Sequence, residues 1–108
     1  MKLTRIKKIR DVLIPLGVPV NHYTAAEKPD NYIVWSEDSQ YNSVWGDNHM
    51  TNQAIEGTIH YFTRTEYDPV ADAIMDVLND AEISFRLNSI QYEDETGYIH
   101  IEWVWRLE

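Results

Sequence analysis

From Tyr98 to Leu107 the chain alternates. Ile99, Ile101, Trp103, Trp105 and Leu107 take every second position, with Tyr98, His100, Glu102, Val104 and Arg106 between them. Successive side chains of a strand point to opposite faces, so a period of two predicts a β-strand with one large apolar face and one mostly polar face. Burying such side chains is worth roughly 1.5–3 kcal/mol each, so a face with two indoles requires a cover. Helical periodicity elsewhere supplies one. Leu3, Ile6, Ile9, Val12, Leu13 and Leu16 recur at helical spacing, with Arg5, Lys7, Lys8, Arg10 and Asp11 on the other side. Thr4 is the expected N-cap and Gly17 the expected C′ residue, with Pro15 limiting the helix near its end. Asp68-Pro69 starts a second helix, an N-cap carboxylate followed by proline at the first helical position. Val70, Ala71, Ile74, Val77 and Leu78 form its buried stripe, while Asp72, Asp76 and Asp80 make a solvated ridge.

The remaining segments read as strands and loops. Val18 to Tyr23 is a short extended segment, Ala25 to Asn31 a loop around Pro29-Asp30, and Tyr32 to Trp35 a largely buried strand. Residues 36 to 53 predict a hairpin extension with an exposed tip, turning at Gly46-Asp47-Asn48. Its length and its Tyr41, Val44 and Trp45 mark it as a contact surface for a partner protein. Ile55, Gly57, Ile59 and Tyr61 then share one strand face, with Glu56, Thr58, His60 and Phe62 on the other. Gly57 inside this strand predicts a bulge or a close approach by the helix above it. Ile83, Phe85 and Leu87 alternate before the apolar phase moves to Ile90 and Tyr92, which predicts a bulge near Asn88-Ser89. Glu93 to Gly97 is a polar turn into the last strand. The expected architecture is α+β: an antiparallel or mixed sheet of about five strands, two helices on one face, order α-β-β-β-α-β-β, in one domain over residues 1–108.

Charge narrows the partners. Lys2, Arg5, Lys7, Lys8 and Arg10 precede every acidic residue; residues 11–108 hold four basic against eighteen acidic side chains, a net of −14. Such a body repels nucleic acid, which argues against sequence-specific DNA binding but permits DNA to pass without adhering. With no cysteine there is no disulfide or thiolate site. No apolar run approaches the ~18 residues of a membrane span, and the basic start lacks the apolar core of a signal peptide. A soluble intracellular protein is the expectation.

Chemistry is sparse. No serine sits on a glycine-flanked elbow, and the four glycines are isolated, so neither a nucleophile motif nor a phosphate loop is present. The best constellation is two strand-borne pairs, Glu56 with His60 and His100 with Glu102, which could gather around a metal if their strands were neighbours. Exposed His and Glu are common on strands, and the reading assigns no catalytic, cofactor or metal residue. The stronger signal is surface. Phe62, Tyr92, Tyr98 and Val104 on the polar side of the sheet, together with Tyr41, Val44 and Trp45, form the expected protein–protein interface.

Three stretches carry a family likeness: Tyr32-Ile33-Val34-Trp35, the run from Ile55 to Asp68 leading into Pro69, and Tyr92-Glu93-Asp94-Glu95-Thr96-Gly97-Tyr98-Ile99-His100. With the element order, they resemble the tail-completion and tail-terminator proteins of long-tailed phages and prophages over most of the chain. The last stretch is similar to that family's closing hairpin, here more acidic and followed by Trp103 and Trp105. The resemblance implies a structural protein without catalysis. It implies a homohexameric ring that caps the tail tube and meets the head–tail connector, located in the virion after assembly in the host cytoplasm. DNA would be passing cargo, with no membrane and no cofactor involved. The rival expectation is a monomeric α+β module binding a peptide or small ligand on its open sheet face.

Overall fold

The computed structural model describes residues 2–46 and 49–108, with side chains described outside 41–53. Five strands form one mixed sheet in the order β1-β2-β3-β5-β4. They are β1 (Val20–His22), β2 (Asn31–Gly46), β3 (His49–Thr63), β4 (Ser84–Glu93) and β5 (Tyr98–Leu107). β1 runs parallel to β2, and every other pairing is antiparallel. Helices α1 (Lys7–Leu13) and α2 (Pro69–Asp80) cover one face. The α+β architecture expected from the patterning is the one observed.

Alternation along β5 sets the core. Trp103, Trp105 and Leu107 are buried and share their face with Ile55, Ile59 and Tyr61 of β3 and Ile33 and Trp35 of β2. Ile9 and Leu13 of α1 and Ile74 and Leu78 of α2 close over that face, all four fully buried. The first helix is longer than its α-helical part, because 3-10 turns at Leu3–Ile6 and Ile14–Leu16 extend it at both ends. Thr4 therefore lies inside the first turn rather than capping it, and Lys2 is the cap residue. The run ends as expected at Gly17, whose φ of 82° is the left-handed conformation that needs no Cβ. Asp68 caps α2, its carboxylate accepting from the backbone N–H of Val70 at 2.9 Å.

Two local expectations change. Tyr32–Trp35 is the start of a 16-residue strand rather than a separate element. β2 and β3 pair along their whole lengths, from Asn31↔Thr63 to Gly46↔His49, so residues 36–53 do form a hairpin extension; its expected turn at Asp47 and Asn48 lies outside the described residues. Gly57 marks both a bulge, since the β2–β3 register slips between its partner Glu37 and Ser39, and a close approach, made by a neighbouring strand rather than a helix. A Cβ there would overlap the carbonyl oxygen of Ser36 and Cζ2 of Trp105. The neighbour is the indole of the adjacent strand, whose Nε1 donates to the carbonyl of Thr58 at 3.1 Å. The irregularity expected near Asn88-Ser89 is present, since the β4–β5 register shifts between Leu87 and Ser89.

No helix among the described residues is long and apolar enough to cross a membrane.

Candidate functional site

The face of the sheet away from the helices carries Tyr32, Val34 and Ser36 of β2, Thr58, His60 and Phe62 of β3, and Tyr98, His100 and Glu102 of β5. Cross-strand partners project to the same side, so the Phe62↔His100 and His60↔Glu102 pairs bring two imidazoles and a carboxylate together. Above the sheet, the segment after β1 bends over this face. It is tied down by Tyr98, whose hydroxyl donates to the carbonyls of Pro29 (2.6 Å) and Lys28 (2.8 Å). Arg64 clamps the same end, ion-paired with Asp30 at 2.9 Å and lying 4.2 Å over the Tyr98 ring. The result is an open groove of about 480 Å³ whose walls include Tyr23, Lys28, Tyr32, Phe62, Tyr98 and His100.

Ring stacking shapes the groove floor. Phe62 lies between Tyr32 (centroids 4.7 Å apart) and His100 (4.2 Å), nearly parallel to both, and Tyr98 meets Tyr32 and Phe62 edge-on.

Beside the stack, His60 Nδ1 is 2.7 Å from His100 Nε2 and 3.5 Å from Glu102 Oε1. The far side of His60 enters a directed chain of hydrogen bonds. His60 Nε2 lies 3.2 Å from Thr58 Oγ1, which is 3.3 Å from Ser36 Oγ, which donates to Asp38 Oδ1 at 3.1 Å. An ionised carboxylate only accepts, so the chain runs toward Asp38 and the network assigns the His60 proton to Nε2. Burial holds the His60 pKa below the usual histidine value, with the neighbouring His100 acting in the same direction and Glu102 and Asp38 opposing. His100 Nδ1 faces Glu93 Oε2 at 3.7 Å, and Asn88 Nδ2 donates to Glu102 Oε2 at 2.6 Å. His60, His100 and Glu102 thus offer three ligand atoms within 4.8 Å of one another.

Of the two pairs singled out in sequence, Glu56 alone is left out. It pairs with Arg106, four residues along β3 from His60, or roughly 13 Å at strand spacing.

The expected interface residues separate. The side chains of Tyr41, Val44 and Trp45 lie outside the described residues. Phe62 and Val104 are half-buried on the open face. Tyr98 is only 4% exposed, because its ring and hydroxyl serve the groove's own walls. Tyr92 is exposed but sits on the opposite face, since it pairs with Ile99 of the apolar stripe. There it joins exposed Leu87 and Ile90, paired with Trp103 and Ile101, on the part of the helix-side face at the β4 edge. The exposure of Leu87 and Ile90 is not legible in the sequence, because apolar alternation in a strand signals burial and nothing in the sequence says how far α2 reaches across the sheet. The roof over the groove was also missed, since Tyr23 to Lys28 carries only loop composition.

No protein-family model matches the chain, and no curated protein matches it in sequence.

Proposed function

We propose that this chain is a structural protein of a phage or prophage head–tail junction, forming a hexameric ring that caps the tail tube and joins it to the connector. The β2–β3 arm is the observation that carries the reading. β5 accompanies β3 only as far as Ile55↔Leu107, while β2 and β3 continue together to Gly46↔His49. The outer part is a two-stranded ribbon, and such ribbons are marginal in water without further packing. An arm of this kind suits a surface completed by a neighbouring subunit or by the tail tube. The β4 edge supports the same reading. Its outer backbone groups have no strand partner in the sheet order, and Leu87, Ile90 and Tyr92 are 49%, 62% and 65% exposed beside it. A heterologous contact between this edge and another copy, repeated by rotation, closes a ring. The acidic body would then present carboxylates, including the exposed Asp72, Asp76 and Asp80, to a channel through which DNA passes without adhering.

Light scattering coupled to size exclusion, with and without tail-tube protein, tests the reading. Assembly to a ring-sized species is expected, either alone or on the tube. Ile90→Lys with Tyr92→Lys should weaken that association at least tenfold while leaving unfolding free energy within about 0.5 kcal/mol, as surface changes do. A chain that stays monomeric at every concentration and is not recruited by any tail-tube protein would remove the ring reading. The groove favours a second reading, a monomeric module that holds a peptide or small ligand against Tyr32, Phe62 and Tyr98. That outcome requires a stable monomer whose groove tryptophan-free surface is protected by ligand, read as chemical-shift changes confined to these rings.

A further inference from the structure

We infer that His60, His100 and Glu102 form a binding site for a divalent transition-metal ion of the zinc class, with an open coordination position toward the groove. The inference is independent of the ring reading, because the site lies on the opposite face from the exposed β4 side chains.

The clustering of ligand atoms carries it, since His60, His100 and Glu102 each place one within 4.8 Å of the others. The chain ending at Asp38 places the His60 proton on Nε2, so Nδ1 presents a lone pair. On the other ring, the Glu93 carboxylate stands 3.7 Å from His100 Nδ1, while Nε2 is turned toward His60. The two ring nitrogens meet across 2.7 Å, a separation that one bridging proton spans in the metal-free protein. A divalent ion would displace that proton to solvent and take its place, and Glu102 Oε1 stands 3.5 Å from His60 Nδ1 as a third donor with a negative charge. Imidazole nitrogens with one carboxylate suit zinc and its neighbours rather than calcium or magnesium, which favour all-oxygen shells. At Zn–N distances of ~2.0–2.1 Å, tetrahedral ligands stand roughly 3.3 Å apart, so the rings need to separate by only about 0.6 Å.

Each ligand also has the outer partner that metal sites use to fix orientation. Thr58 holds the far nitrogen of His60, Glu93 faces that of His100, and Asn88 holds the second oxygen of Glu102. The three ligands leave a fourth position open, and His60 and His100 both line the groove. Through it the ion would reach an oxygen or nitrogen donor of whatever the groove admits.

Zinc titration of the full chain by calorimetry and native mass spectrometry is the test, with His60→Ala, His100→Ala and Glu102→Gln as variants and circular dichroism to confirm their folding. One equivalent of zinc is expected, with affinity reduced at least tenfold in each variant, and with magnesium and calcium failing to compete at a thousandfold excess. Nitrogen-resolved NMR of the histidine rings of the unsubstituted protein gives a second readout that does not depend on the variants. Metal-free His60 should carry its proton on Nε2, and zinc should shift His60 Nδ1 and His100 Nε2 together. Absence of zinc binding, equal binding by the His60→Ala/His100→Ala double variant, or shifts confined to other histidines would each overturn the site.

Discussion

Replacing Gly57 by alanine is expected to cost the protein about 3 kcal/mol or more, and replacement by valine to prevent folding. Overpacking a well-filled core typically costs ~1–3 kcal/mol because side chains move off their rotamers. At Gly57 the obstruction is harder than usual. One of the atoms in the way, the Ser36 carbonyl oxygen, belongs to the backbone of β2, and the other two belong to the buried Trp105 ring, whose Cε2 stands only 2.7 Å from the added carbon. Trp105 is fully buried and held by its bond to Thr58, so it has nowhere to go. Urea unfolding should show the loss as a lower midpoint with an unchanged slope. Adding Trp105→Leu to Gly57→Ala frees one wall but not the Ser36 oxygen, so the double variant should remain less stable than Trp105→Leu alone. Recovery to equal stability would mean that the indole is the whole obstruction.

Asp68→Ala should be nearly as damaging, at about 3 kcal/mol. One carboxylate serves three donors: Val70 N–H at 2.9 Å through Oδ1, and the hydroxyls of Tyr61 (2.6 Å) and Thr63 (2.7 Å) through Oδ2. Losing the cap costs ~0.5–2 kcal/mol, and each buried hydroxyl left without an acceptor adds ~1–3 kcal/mol, not fully additively. Both hydroxyls already face other donors, Tyr61 receiving from Asn31 and Thr63 from the Thr65 N–H, so they are committed to donating toward Asp68. Burial alone would raise the Asp68 pKa, but the bonds from Thr63, Tyr61 and Val70 outweigh it and hold the value below the usual 3.8. A depressed carboxylate pKa contributes stability above the unfolded value and loses it as the pH falls through the folded one, so acid unfolding should steepen below pH 3.8. Tyr61 marks the other limit. Burial first, and then the bond to Asp68, push its pKa from 10.0 up to about 12. Its stabilisation is complete below pH 10 and is lost as the pH rises toward 12, so tyrosinate absorbance from this residue should appear together with unfolding. Asp68→Asn should flatten the acid limb; an unchanged acid limb would place the titration elsewhere.

Much of the fold was legible because its signals are local and repeated. The alternation of Ile99 to Leu107, the Asp68-Pro69 start and the phase change after Leu87 each name an element or a defect, and each appears in the sheet or at its helix. What the pattern does not encode is which strands become neighbours. Insertion of β5 between β3 and β4 alone brings His60 to His100, and the same pairing leaves Glu56 beside Arg106. Nor does a strand's period say where a helix stops covering it. Tyr92, Ile90 and Leu87 carry the right phase for the core and still face solvent, while Tyr98, with the polar phase, is closed in by Arg64 and by the backbone of Lys28 and Pro29.

The sheet order also governs when folding can finish. β3 and β4 do not pair with one another; each pairs with β5, which is synthesised after both. A growing chain that has emerged through Glu93 contains the residues of α1, α2 and four strands, yet the ladder that joins β4 to the rest does not exist. Trp103 and Trp105, fully buried partners of Trp35 in the core, are still to come. Until β5 enters, the inner edges of β3 and β4 stay unpaired, and exposed strand edges of that kind are where nascent chains associate wrongly. Joining β4 to the rest of the sheet therefore waits on β5, the last of the five strands to be made.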